Sequence, residues 1–216
     1  AAPYEFSNSI GTPLREGLVT VHNLLRGADI RDKITIICSG KIISGFDIAR
    51  HLALGADLCN SARGMMFALG CIQALKCNTN KCPTGITTND KELQKGLNVP
   101  DKTARVERYH KATVHTAQEI IGAVGITKPS MLKPSHILYR NEDGKLMTMA
   151  EVFPELPLGV LVDNIPDKIQ LQGGLERYGV WWEMGGIALE QMVDGTYNKV
   201  GIEETQTWQV TSSTAL

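Results

Sequence analysis

The chain has 216 residues, 43% hydrophobic and 21% charged, with 21 Gly, 9 Pro and 5 Cys; these are the fractions of an ordinary globular protein and exclude a disordered tail or a collagen-like repeat. With 22 basic and 23 acidic residues the net charge is −1, which gives no electrostatic ground for nucleic acid or an anionic membrane as a partner. No run of about 18 apolar residues spans a bilayer, and Ala1-Ala2-Pro3-Tyr4-Glu5 lacks the basic and apolar regions of a secretory signal, so a cytoplasmic setting is expected.

In chain order, Leu14–Arg26 places apolar residues at 14, 18, 21, 24 and 25, a helical stripe. Lys33–Cys38 (KITIIC) is a nearly continuous apolar run, the pattern of a strand buried on both faces of a parallel sheet. Ser39-Gly40-Lys41 ends it, Phe46–Leu54 reads as a helix closed by Gly55, and Ala56–Cys59 as a second short strand. Ser61-Ala62-Arg63-Gly64 then leads into an apolar helix over Met65–Leu75. Strand, small-residue turn and helix, twice over, is the pattern of βα units on a parallel sheet. A closed barrel needs eight such units and ~250 residues. The leading helix has no strand of its own, so the favoured reading is α/β, the C-terminal portion of a (β/α)8 TIM barrel, over a small open α/β domain. The chain starts without Met, which agrees with the expectation that it is a fragment of something longer.

After residue 75 the texture changes. Lys76–Pro83 is a cysteine-rich loop, Gly85–Pro100 is polar and irregular, and Asp101 is placed to cap a helix running to about Val124, where Gly125 ends it. His136–Tyr139 and Lys145–Met149 around Asn141-Glu142-Asp143-Gly144 read as a hairpin, with a surface loop before a helix at 148–153 as the alternative. Trp181-Trp182 packs on another surface or in a local core, and Val210–Leu216 is expected to fray. The domain reading is therefore 1–75 for the barrel part, 76–100 for a cysteine-rich loop and linker, and 101–216 for a mainly helical C-terminal extension.

Cys71, Cys77 and Cys82 form C-x5-C-x4-C. A cubane-type iron–sulfur cluster lacking one iron has three irons, each taking one thiolate, so three cysteines match it in number. Cys71 and Cys77 fall on different faces of a continuous helix, so the helix must end between them for the loop to wrap back; Asn78, Asn80, Pro83 and Gly85 suit such a loop. A zinc site, which favours shorter C-x2–4-C pairs and four ligands, and three unconnected cysteines both remain open on spacing alone. Cys38 and Cys59 read as small buried hydrophobes in strands.

Parallel α/β folds collect ligands at the C-terminal ends of their strands, and barrels often bind phosphate at their last two loops. Ser39, Gly40 and Lys41 follow the first strand and Ser61, Ala62 and Arg63 the second, where small residues let backbone N–H groups approach a phosphate and Lys41 or Arg63 adds charge. An ordinary pair of turns reads equally well from these residues alone. The histidines carry less: His110 and His115 do not share a helix face, His51 is expected to be solvated, and His22 and His136 have no recognisable partner.

The stretch SGKIISGFDIARHLALGADLCNSARGMMFALGCIQALKCNTNKCPTGI resembles the end of the FMN-binding synthase domain of glutamate synthase and its relatives, and AAPYEFSNSIGTPLREGL is similar to the segment after that barrel's sixth strand. The resemblance covers about residues 1–90 and implies a (β/α)8 barrel holding FMN beside a 3Fe-4S cluster. By position, Cys71, Cys77 and Cys82 would be the cluster ligands, and Ser39, Gly40, Lys41, Ser61, Ala62 and Arg63 would surround the FMN phosphate. The resemblance further implies reductive amination: electrons reach FMN through the cluster, and reduced FMN delivers hydride to the 2-iminoglutarate formed from 2-oxoglutarate and ammonia, the latter free or from glutamine. The electron donor, a reductase subunit or a ferredoxin, is left unassigned. The first six strands and any N-terminal cysteine nucleophile are missing, so the chain alone is expected to be inactive, and the open sheet edges invite homo-oligomerisation or pairing with the missing half. Two other readings stand beside this one: a non-catalytic iron–sulfur electron-transfer or assembly module, and a related FMN barrel acting on a different substrate.

Overall fold

A computed structural model describes residues 6, 9–163, 178 and 182. The chain divides into two units, Ala1–Asp163 and Asn164–Leu216, and the elements below belong to the first. Of the expectations for the second, those on Trp181 and the Val210–Leu216 tail lie outside the described residues, and Trp182 is half-buried.

Helix α1 (Leu14–Gly27) starts after Pro13, with Glu16 in its first turn and Arg26 in its last, each complementing the helix dipole. Its apolar stripe buries Leu18 and Val19. One polar residue is buried with them: Asn23 Oδ1 accepts from Leu156 N at 2.7 Å, while Arg26 Nε donates to Leu156 O at 2.7 Å. These bonds tie the chain near Leu156 to α1 across more than a hundred residues of sequence.

Strands β1 (Ile37–Ser39) and β2 (Leu58–Asn60) pair in parallel, with Ile37 opposite Leu58, Cys38 opposite Cys59 and Ser39 opposite Asn60. The expected Lys33–Cys38 strand is shorter and later. Arg31–Lys33 forms a turn of 3-10 helix, from which the Arg31 guanidinium donates to Ile34 O, Gly55 O and the Asp57 carboxylate, at 2.8, 2.8 and 2.9 Å, and to His22 Nδ1 at 3.0 Å. Asp57 in turn accepts from Ile36 N at 2.7 Å. This polar knot occupies the start of both strands, where the sequence shows an apolar run. His22, taken above as unpartnered, is therefore the acceptor of an arginine; burial first, and then Arg31, push its pKa down. Nor is the sheet buried on both faces: Cys38 is 4% exposed, whereas Ile37 and Leu58 are each 55% exposed. Alternating residues point to opposite faces; α1 contacts β1 and α2 (Gly45–Ala53) contacts β2.

Helix α3 (Arg63–Leu69) ends before Cys71 rather than at Leu75, because Gly70 adopts a left-handed φ of +99° that closes the helix. Past the cysteine loop, Asp90 caps a one-turn helix α4 (Lys91–Gln94) inside the stretch read as irregular. The long helix α5 (Val99–Ala123) starts two residues before Asp101. Asn98 is its cap, accepting from Asp101 N at 3.2 Å, and Pro100 sits in the first turn, where a missing N–H costs no intrahelical bond.

Helix α5 lies across both α2 and α3. The crossings need glycine. A Cβ at Gly45 would lie 2.6 Å from Ala117 N and 2.8 Å from Thr113 O, and one at Gly64 would overlap the Tyr109 hydroxyl. That hydroxyl donates to Ile43 O. Beyond α5, β3 (Leu138–Arg140) and β4 (Leu146–Thr148) form the expected antiparallel hairpin rather than a surface loop, and the helix named in the alternative follows it: Thr148 and Glu151 cap a helix α6 (Met149–Val152). A further turn, α7 (Val160–Asp163), follows. The core runs through Leu18, Ile36, Ala49, Leu54, Ile121 and Phe153. No helix of the described residues is long and apolar enough to cross a membrane.

Substituting Gly45→Ala or Gly64→Ala should each cost about 1–3 kcal/mol in urea unfolding, the scale of overpacking. Gly122→Ala, at an α5 position with nothing within 4 Å, should instead stabilise by roughly 0.5–1 kcal/mol. Stabilisation at all three positions would show that the crossings are not tight.

Candidate functional site

The strand ends and the segment after α3 hold every residue singled out from the sequence. Ser39 is the last residue of β1, opposite Asn60. After it the chain turns through Gly40 at φ +151° and Lys41 at φ +53°, the second a strained conformation for a residue with a side chain. These three line a cleft with Gly11, Thr12, Arg15, Glu16, Arg50 and His51. Arg50 pairs with Asp47 at 2.9 Å and lies over the Phe46 ring, yet its Nε is buried with no hydrogen-bond partner, as is Glu16 Oε2. His51 is 2% exposed rather than solvated: it is a helix residue whose Nδ1 meets Asp47 O at 2.6 Å, and burial lowers its pKa.

The second turn is joined to the first without lining the same cleft. The Ser61 hydroxyl donates to Ile42 O at 2.7 Å, so it is a strut between the turns. Ala62 is the cap residue of α3 and makes no side-chain cap bond, and Arg63 is the helix's first residue. The N-terminus of α2, by contrast, is already satisfied. The Asp47 carboxylate accepts from Ser44 N, Ser44 Oγ and Ile43 N, while Asp47 N donates back to Ser44 Oγ. Although burial pushes the Asp47 pKa up, those bonds and Arg50 hold it below its usual value. The start of α2 is thus already taken by a carboxylate, while α3 begins without a side-chain cap.

Cys71, Cys77 and Cys82 line one cavity, with Met66, Ile72, Pro83 and Ile86 among its apolar walls. Three devices shape it. Between the first two cysteines, Gln73 and Leu75 adopt left-handed φ values of +56° and +54°, strain of a kind that clusters at functional sites. Asn80, at φ +62°, folds the loop back: Thr88 Oγ1 donates to Asn80 O at 2.7 Å, and Asn80 Oδ1 accepts from Asn89 N at 2.6 Å. Cys82 is the buried member. Burial pushes its thiol up, but the Thr84 hydroxyl at 3.2 Å, together with the Thr84 and Thr87 backbone N–H groups and the Thr87 hydroxyl, outweighs it and brings the pKa down to about 6. The Thr87 hydroxyl has no partner of ordinary hydrogen-bond length; it faces this sulfur. Gln73 N donates to Cys71 Sγ at 3.4 Å. Among the described residues no three His, Cys, Asp or Glu side chains converge on a single ion.

Thr84, Thr87, Arg50 and His51 were not singled out from the sequence. The threonines carry a readable signal, hydroxyls two and five residues after Cys82 in CPTGIT. Arg50 and His51 carry none, because only the fold brings that helix face to the end of β1.

Residues 1–127 match the model of a family described as the conserved region in glutamate synthase, a span that includes both turns, the cysteine loop and α5. The glutamate synthase large subunit-like protein YerD of Bacillus subtilis is 41% identical over 149 residues, 69% of this chain and 28% of that protein. An archaeal glutamate synthase (NADPH) of Methanocaldococcus jannaschii is 36% identical over 133 residues, 62% of this chain and 26% of that protein. A ferredoxin-dependent glutamate synthase of Pyropia yezoensis is 30% identical over 145 residues, 66% of this chain but 9% of its own length. The chain thus spans little more than a quarter of the first two relatives.

In metal-free protein, Thr84→Val should raise the pH at which Cys82 becomes alkylated from about 6 toward the usual thiol range, because it removes a donor to the thiolate. Peptide mass spectrometry across a pH series reads this directly. An unchanged profile would show that the Thr84 hydroxyl does not hold the thiolate.

Proposed function

The chain belongs to the glutamate synthase family, and from that premise we propose that it supplies the iron–sulfur ligands and the phosphate end of the flavin site of an FMN- and 3Fe-4S-dependent oxidoreductase. In this reading β1–α2–β2–α3 are βα units of a (β/α)8 barrel. The open, apolar face at Ile37 and Leu58, each 55% exposed, supports it, since inward-facing residues of a barrel strand are covered only when neighbouring strands close over them.

The observation that carries the proposal is the single cavity shared by Cys71, Cys77 and Cys82. Its donor set fits the group in kind: three soft cysteine ligands, apolar walls, and one sulfur already biased to the thiolate that iron binds. The cleft at the end of β1 fits the other group, with Lys41 and Arg15 in its walls and an unsatisfied Arg50 Nε.

When bound, FMN supplies the hydride and the cluster the electrons for reductive amination of 2-oxoglutarate. This chain's own residues do the rest. Cys71, Cys77 and Cys82 hold the irons. Thr84 and the N–H groups of Thr84 and Thr87 stabilise negative charge on sulfur, which favours the reduced cluster and raises its potential. Gly40, Lys41 and Ala62 offer backbone N–H groups to the phosphate, Ser39 and Arg63 flank it, and Ser61 braces the two turns through Ile42. The nitrogen source is ammonia or glutamine, and the donor belongs to one of the two classes named in the relatives, NADPH through a reductase or a ferredoxin.

Serine at any one of Cys71, Cys77 or Cys82 should lower iron per chain at least several-fold after anaerobic reconstitution, while serine at Cys38 or Cys59 should leave it unchanged; iron analysis reads both. Equal iron in all five variants would remove the cysteine cavity from the site.

A further inference from the structure

Cys38 and Cys59 take no part in the chemistry above, and the sequence presents them as two unrelated strand residues. The fold makes them a pair. They are register partners on adjacent parallel strands, both are free, and their Sγ atoms lie 3.5 Å apart. Neighbouring strands run ~4.8 Å apart, within the ~4.4–6.8 Å of Cα separation that a disulfide accepts, so closure asks for side-chain rotation rather than backbone movement. Cys38 is 4% exposed and Cys59 is half-buried, which leaves one sulfur within reach of a small reagent and the other protected behind it.

We propose that Cys38 and Cys59 are a redox-active dithiol that closes to a cross-strand disulfide by exchange with a low-molecular-weight disulfide of the glutathione class. Cys59 exchanges first, as a mixed disulfide with one half of the reagent, and the other half leaves as a thiol. The Cys38 sulfur then attacks Cys59 Sγ, the second half of the reagent leaves, and it takes up the proton Cys38 gives up. Two protein thiols are oxidised and one small disulfide is reduced to two thiols. The hydrogen bond the two sulfurs share holds the Cys38 thiol below its usual range and pushes Cys59 above it; this favours Cys38 as the attacking sulfur of the second step and slows the first exchange, which falls to Cys59 because it is the more exposed member of the pair.

The position gives the bond a consequence. Cys38 immediately precedes Ser39, and Cys59 lies two residues before Ser61, so the link fixes the spacing of the two strand-end turns. The pair does not depend on the flavin or cluster reading, and neither do the measurements that test it.

The full-length chain is equilibrated in glutathione buffers of rising oxidised fraction, alkylated, and digested with trypsin, which places Cys38 in Ile34–Lys41 and Cys59 in His51–Arg63. The expected product is these two peptides cross-linked, two hydrogens lighter than their sum, reversed by a dithiol reductant and absent when the chain is oxidised in denaturant. Oxidation should also raise the unfolding midpoint by roughly 5 °C, a rise that Cys59→Ser abolishes. Cross-links of either cysteine only to Cys71, Cys77 or Cys82, or both cysteines still alkylated in the most oxidising buffer, would overturn the proposal, and that result needs only the unaltered protein.

Discussion

The contact on which the other features depend is the crossing of α5 over α2 and α3. At Gly45 backbone meets backbone at Thr113 and Ala117, and at Gly64 the helix makes room for the Tyr109 ring. Tyr109 passes the constraint on: its hydroxyl holds Ile43 O, and Ser61 holds Ile42 O one residue earlier. The two strand-end turns are thereby fixed to each other and to a helix more than forty residues further along the chain. Glycine at the crossings has a physical reason, because any side chain would push α5 outward and free both turns together.

From that anchor the cysteine loop follows. Helix α3 is clamped along its length, ends at the left-handed Gly70, and delivers Cys71 at a defined point. Lys102 and Arg105 of α5 lie beside Gly70, cations at the C-terminal end of a helix dipole. The loop then spends conformational energy at Gln73 and Leu75 and is pinned through Asn80 and Thr88, and the result is a small cavity lined by all three cysteines. Electrostatics separates the two sites. At the turns a carboxylate, Asp47, already occupies the start of α2. At the loop, neutral donors rather than cations lower the Cys82 pKa.

The sequence was most legible where local pattern decides structure: the alternation of strand, small-residue turn and helix, the capping chemistry, and the three-cysteine spacing. It was least legible where distant residues decide. KITIIC reads as a doubly buried strand, but Arg31, His22 and Asp57 take its first half into a polar knot, and Ile37 faces an open side. The α3 helix reads through to Leu75 because Gly70 is a single residue in an apolar run, and only its left-handed φ ends it. His51 reads as a surface residue on an amphipathic helix, yet the cleft at the end of β1 covers it. Cys38 and Cys59 are twenty-one residues apart, and only the parallel register makes them neighbours. The family resemblance carried by CNTNKCPTGI gave the cysteines a meaning that spacing alone left divided among cluster, zinc and independent thiols.

A three-iron cluster in the three-cysteine cavity is read out by iron and acid-labile sulfide per chain, measured on anaerobically purified and reconstituted protein. Roughly three irons and about four sulfides per chain are expected. One tightly held zinc with no sulfide, or neither metal nor sulfide after reconstitution, would contradict it.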